Sequence, residues 1–318
     1  MKRALLVGVD DYDTLSPLSG CVNDVRALLP LIARNEDDTV NFSCVTLDTG
    51  GGDRVLREEL VEQVQRLLSP GADVALLYFA GHGAGEDADV TLCTTDGTDV
   101  TPGLKMSDVL AQVARSKIPE INIVLDCCFS GSAGGVPQLA AAGSFLRAGV
   151  SILAASRGDQ VADETPDGRG QFTWQLCAAL DRGAADIRGD VSLAGIWAYL
   201  SECFGAWDQR PTLKASIDRP HVLRTCTPDI DDDVLRELAG WFPTPEHHFP
   251  LDPSYEDTAE PRDADHEAVF KKLQRSTSRK LVEPVDEEHM YYAAMNNKAC
   301  RLTPLGQHYR HLADRGLL

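Results

Sequence analysis

The sequence predicts an α/β protein: a doubly wound, mostly parallel, six-stranded sheet, followed by a small, mainly helical C-terminal module. Three observations predict it. The run Asp73-Val-Ala-Leu-Leu-Tyr-Phe-Ala80 is apolar on both alternating sets after its first residue, and Ile121-Asn-Ile-Val-Leu-Asp126 is mostly apolar and branched, as strands buried in a parallel sheet are. Stretches of helical period separate these runs, the alternation that winds a parallel sheet. Beyond residue 228 the composition shifts, with eleven acids against two Arg between 229 and 263.

In order, residues 3–9 form the first strand, and Asp10 to Gly20 a loop. Cys21 to Arg34 is a helix with Val25, Leu28, Leu29 and Ile32 on one face. Residues 41–47 alternate as a second strand, Gly50-Gly-Gly52 breaks it, and Val55 to Leu68 is helical. The third strand, 73–80, ends in Gly81-His82-Gly83; a polar loop, a short extension at 90–94 and a helix over 106–115 follow. The fourth strand ends in Asp126-Cys127-Cys128-Phe129-Ser130-Gly131, and 132–147 is rich in small residues and expected to be mobile. Residues 149–155 and 210–216 are the last two strands, with helices running to about Leu180 and over 191–204 between them. Three domains are expected: 1–228, an acidic Pro-rich linker over 229–264, and a module over 265–318. The module would hold helices at 266–274 and 286–295, a short strand at 298–302 and a last helix with Pro304 in its first turn.

Composition bounds the function. The 318 residues can hold one domain of some 200–250 residues plus an appendage. The N-terminal apolar run is too short for a secretory signal, and no stretch approaches a membrane span. A soluble, cytoplasmic protein is expected, with any recruitment device at the C-terminal end because the first strand starts almost at Met1. Nine Cys without framework spacing read as reduced thiols. A net charge of −19 argues against nucleic acid as the substrate.

If the third and fourth strands are parallel neighbours, their C-terminal ends share one edge, where chemistry gathers in such sheets. His82 and Cys128 would meet there. A free thiol is only a few per cent thiolate at neutral pH, and an adjacent imidazole can take its proton and later protonate a leaving amine. The pairing implies acyl transfer through a thioester. The plainer reading of a strand-end Cys is structural, and it holds for Cys21, Cys44, Cys93, Cys177, Cys203, Cys226 and Cys300. A phosphatase loop would need Arg at 133 or 134, where Ala and Gly stand, and adjacent thiols are not a C-x-x-C redox pair.

Tyr78-Phe-Ala-Gly-His-Gly83 and Asp126-Cys-Cys-Phe-Ser-Gly131 resemble the His and Cys boxes of caspase-like cysteine peptidases, closest to metacaspases, over roughly residues 3–217. The resemblance implies a caspase-like fold with Cys128 as nucleophile, Cys127 as its neighbour and His82 as base. It implies a dyad without an obvious third member, and the Gly83 and Cys128 amides are the natural oxyanion donors. It also implies that the Cys21-Val-Asn-Asp24 box contributes to the pocket for the residue before the scissile bond. Asp24 and Asp126 would make that pocket acidic, hence cleavage after Arg, then Lys. Asp24 as helix cap or solvated acid, and Asp126 as loop support, are the structural alternatives.

No cofactor is expected, although some relatives bind calcium near the positions of Asp87, Asp89 and Asp96; their spacing matches no calcium loop. Arg147 is the expected activation cleavage site of a zymogen. The C-terminal tail resembles the closing part of a winged-helix module and is expected to contact a regulatory protein or upstream protease. The resemblance further suggests a bacterial defence or cell-death pathway. The alternatives are a catalytically silent caspase-like adaptor acting through the tail, and a DNA-binding regulator led by it.

Overall fold

The computed structural model describes residues 1–86, 89–130, 146–155, 168–204, 211–217, 221–258 and 262–318; for Glu86 and residues 128–130 it describes the backbone alone. The chain divides into two compact units, Met1–Thr227 and Pro228–Leu318.

The first unit follows the alternation in the sequence. Its elements are β1 (Lys2–Gly8), α1 (Cys21–Ala33), β2 (Phe42–Asp48), α2 (Arg57–Leu67), β3 (Val74–Glu86), β4 (Asp89–Cys93), β5 (Gly103–Lys105), α3 (Met106–Arg115), β6 (Glu120–Ser130), β7 (Val150–Ala154), α4 (Gln171–Ala178), β8 (Asp190–Ser192), α5 (Leu193–Cys203), β9 (Thr212–Ser216) and β10 (Val222–Thr225). The main sheet runs β2-β1-β3-β6-β7-β9, with β4 and β5 branching from β3. All neighbours along that path are parallel except β7 and β9. The six expected strands are therefore the six of the path. The chain winds outward from β1 in both directions, so the order reverses beside β3, and open α/β sheets bind ligands where this happens.

Alternation along the central strands sends side chains into two cores. Ala75, Leu77 and Phe79 of β3 join Ile121, Ile123, Leu125 and Cys127 of β6 beneath α2 and α3. Val74, Leu76, Tyr78 and Ala80 join Val124 beneath α1, α4 and α5. The second set continues, by period, to His82 and to Asp126 and position 128. Helix α1 starts where Asp10 accepts from the amides of Cys21 (2.9 Å) and Val22 (3.1 Å), so the carboxylate that caps this helix comes from the end of β1 and not from Asp24.

The second unit corrects the expected domain map. Residues 229–264 are not a linker: α6 (Asp232–Trp241) and β11 (His248–Pro250) lie within this compact unit. With α7 (Ala264–Ser278), β12 (Val282–Val285), α8 (Met290–Met295), β13 (Ala299–Leu302) and α9 (Pro304–Asp314) they complete it, the strands pairing antiparallel in the order β11-β13-β12. Counting charge hid this, because the few apolar residues of the stretch are the ones buried: Val234, Leu235, Leu238, Phe242 and Leu251. The Asp231-Asp-Asp233 run sits at the start of α6, where the helix dipole favours anions. A strand stands between each consecutive pair of its helices, so the adjacent helix pair of a winged-helix module does not occur among the described residues.

Candidate active site

The β3–β6 register pairs Ala80 with Asp126, Gly81 with Cys127 and His82 with Cys128. Parallel register partners lie about 4.8 Å apart and share a face of the sheet. The two positions thus meet at the carboxyl ends of the two central strands, as the spacing predicts.

His82 occupies a gap in the ladder. Opposite β6, β3 pairs with β1 up to Ala80 and with β4 from Gly83 onward. Between them, the His82 N–H donates to the Tyr12 hydroxyl at 2.8 Å. The partly exposed imidazole packs against the Tyr12 ring, centroids 4.9 Å apart, and its Nε2 lies 2.9 Å from the Ser16 carbonyl. A carbonyl can only accept, so Nε2 carries the proton and the neutral ring keeps its lone pair on Nδ1. No residue type in the sequence marks this partner of the imidazole, because its contribution is a backbone carbonyl, indifferent to which side chain stands at 16. The only sign was a loop, Asp10 to Gly20, long enough to reach back across the strand ends.

Two residues before position 128, about 6–7 Å along the strand, the buried Asp126 accepts from the Thr173 hydroxyl at 2.7 Å. Asp24, also buried, accepts from the Gly170 N–H at 3.0 Å. Both carboxylates therefore sit at the first turn of α4, where free N–H groups and the dipole stabilise negative charge. Cys21 belongs to the same cluster: burial first, then the fields of Asp10, Asp126 and Asp24, push its thiol well above the usual range. Burial and the same two carboxylates raise the Tyr78 phenol as well. The structure thus brings together Cys21, Asp24 and Asp126, on the face that carries His82 and position 128. Cys127 faces the opposite core.

Gly83 lies inside the sheet, in register with Leu92 and Phe129. Arg147 is not a free substrate-like side chain. Its Nε donates to the Val113 carbonyl (3.0 Å), Nη1 to that of Ala148 (2.8 Å) and Nη2 to that of Ile118 (2.8 Å), tying down the end of α3. The expected mobile piece, except Leu146 and Arg147, lies outside the described residues, as does Asp87. Asp89 accepts from the amides of Val90 and Ser107, and Asp96 from the Arg57 amide and the Thr94 hydroxyl, so both carboxylates have protein donors. Among the described residues no group of three or more His, Cys, Asp or Glu could hold a metal, and no helix is long and apolar enough to cross a membrane.

A sheet of this order, with imidazole and thiol positions in register at the ends of its central strands and acids beside them, defines the caspase class of α/β domain. The family model for the caspase domain matches residues 1–217. The chain belongs to the caspase-domain family. It is 28% identical over 151 residues to metacaspase-2 of Trypanosoma brucei brucei, covering 42% of this chain and 43% of that one. Metacaspase-1 of Schizosaccharomyces pombe is 24% identical over 151 residues (43% and 35%), and metacaspase-7 of Arabidopsis thaliana 29% over 144 residues (41% and 35%). The chain spans less than half the length of these curated relatives.

Proposed function

We propose that the protein is a cysteine endopeptidase that cleaves polypeptides after Arg, and next after Lys, through a Cys128–His82 dyad. The observation that carries this reading is the His82–Cys128 register on a face that also holds two buried carboxylates. The thiol passes its proton to Nδ1, whose lone pair the Ser16 carbonyl reserves by holding Nε2–H. The thiolate attacks the scissile carbonyl carbon, and the carbonyl oxygen becomes an oxyanion, which needs backbone N–H donors; Gly83 and Cys128, expected to supply them, are both paired within the sheet. As the C–N bond breaks, the imidazolium returns the proton to the leaving amine. Water, deprotonated by the same imidazole, then hydrolyses the thioester.

Asp24 and Asp126 supply the specificity. A guanidinium can bond carboxylates bidentately in its plane, whereas an ammonium meets them only as a point charge. Latency before activation belongs to the same reading. In this reading the activating cut falls elsewhere than the expected Arg147, whose guanidinium is tied to three carbonyls, because a residue before a scissile bond must be free to enter the pocket. A place in a defence or regulated-death pathway rests on the family resemblance.

The test is a peptide panel with Arg, Lys or Asp before the scissile bond, assayed with calcium and with EDTA. Arg peptides should be cut fastest, and an Arg chloromethylketone should label Cys128 and fail on Cys128→Ala. Preference for Asp would overturn the specificity, and a wild-type thiol that takes no label would leave a silent adaptor.

A further inference from the structure

We propose that Tyr12 is a positioning residue for His82: a phenol inserted into the sheet in place of one ladder bond, which fixes the height of the imidazole. The proposal rests on the dyad reading above.

In a parallel pair, a residue donates to one neighbour of its partner and accepts from the other. Val9 extends β1 and donates to the Ala80 carbonyl at 3.0 Å, so the next bond of the pattern would run from the His82 N–H to the Val9 carbonyl. The Tyr12 hydroxyl stands between them, accepting from His82 N–H at 2.8 Å and donating to the Val9 carbonyl at 2.9 Å. The direction is fixed by chemistry. The carbonyl cannot donate and the amide cannot accept, so the one phenolic proton goes to Val9 and a lone pair to His82. Burial pushes the phenol's ionisation far above its ordinary range, so that proton is present at any working pH.

The insertion parts the two strands by one hydroxyl at the residue that must reach the thiol. It also brings the loop after β1 alongside the imidazole, whose ring lies against the Tyr12 ring, and Ser16 of the same loop takes Nε2–H at 2.9 Å. One loop therefore holds His82 by its backbone, its ring face and its ring tip. The loop is anchored independently by Asp10 on the start of α1 and by the Asp13–Arg54 ion pair. Gly81 is part of the device, since a Cβ there would come within 2.8 Å of the Tyr12 oxygen and 3.0 Å of the Phe79 ring.

The test reads the dyad without turnover, through the pH dependence of Cys128 alkylation by iodoacetamide in the full chain. A thiol paired with the imidazole reacts as thiolate well below the ordinary thiol range. Tyr12→Phe keeps the ring and deletes the wedge. It should slow alkylation at about pH 6 by about tenfold or more and lower kcat on an Arg peptide similarly, with KM within about twofold. Gly81→Ala, which displaces the phenol from outside, should reproduce the shift and serves alone if Tyr12→Phe does not fold. Arg54→Ala removes only a half-exposed, solvent-screened ion pair at the outer side of the loop and leaves Asp10, Tyr12 and Ser16 in place, so its profile should match wild type. A folded Tyr12→Phe with the wild-type profile overturns the proposal, and so does an equal shift in Arg54→Ala. A wild-type Cys128 that reacts as an ordinary thiol overturns the dyad itself, an outcome visible before any variant is compared.

Discussion

The Thr173 hydroxyl donates to Asp126 Oδ2 at 2.7 Å and lies 2.6 Å from the Tyr78 hydroxyl, in a row of buried groups that crosses from α4 to β3 and β6. Thr173 has one hydroxyl proton and gives it to Asp126, so Tyr78 must give its own to Thr173. The order of donors ends on the Asp126 carboxylate.

Thr173→Val should therefore weaken recognition of Arg without touching the chemistry. KM for an Arg peptide should rise by about tenfold while kcat stays within about twofold, and Thr173→Ser should restore both. The change leaves the Tyr78 hydroxyl without its partner, at a cost of about 1–3 kcal/mol in a urea melt. A fall in kcat at constant KM would place Asp126 in the proton transfer and not in the pocket.

Arg147 gives a prediction of the opposite kind. Arg147→Met removes donors from the carbonyls of Val113, Ala148 and Ile118, so it should cost about 1–3 kcal/mol of stability. Intact-mass analysis of the active wild-type enzyme should find no cut after residue 147. A chain cut there, and inactive when Met stands at 147, would restore the activation site.

How far the sequence was legible follows from which atoms did the work. His82, Cys128, Asp126, Asp24 and the six strands of the main path announce themselves, because burial on both faces and reactive side chains leave marks in residue type. The Ser16 carbonyl leaves none, since every residue has one, and Tyr12 reads as an ordinary loop aromatic until the gap between β1 and β4 is seen. Residues 229–264 misled for a third reason: their charges lie on the outside of a helix and strand whose apolar residues are too few to set the local average.

Alkaline pH should destabilise both units. Burial pushes the thiol of Cys177 in the first unit up to about 12, an effect that the nearby Arg169 partly offsets, and burial pushes Cys300 in the second up to about 12, against an ordinary value of 9.0. Below about pH 9 these thiols are protonated folded or unfolded and do not affect the pH dependence. Between about 9 and 12 the unfolded thiol loses its proton and the folded one keeps it, so stability falls as pH rises, by at most about 1.4 kcal/mol per unit per thiol. Urea midpoints from pH 8 to 10.5 should show the decline, and Cys300→Ala should flatten it for the second unit. An unchanged slope in that variant would show that Cys300 is solvated in the folded chain.

The second unit should fold by itself. Residues 228–318 close a core of their own, in which Phe242 and Phe270 are fully buried beside Leu235, Leu238, Leu273 and Leu281. An aromatic row links Phe242 to Phe249, Phe249 to Tyr255, and Tyr255 to Phe270. The end of α6 is held from α9: Arg310, nearly buried, donates to the carbonyls of Phe242 and Pro243 and pairs with Asp314 at 2.9 Å. A fragment beginning at Pro228 should therefore unfold in one cooperative transition. Phe270→Ala should lower its stability by about 3–5 kcal/mol through the cavity it leaves, and Arg310→Ala by about 1–3 kcal/mol through the orphaned carbonyls. A fragment starting at 265, the boundary that acidity and proline content suggested, lacks α6, Phe242 and β11 and should show no cooperative transition; if it melts like the longer fragment, the acidic stretch is a linker after all.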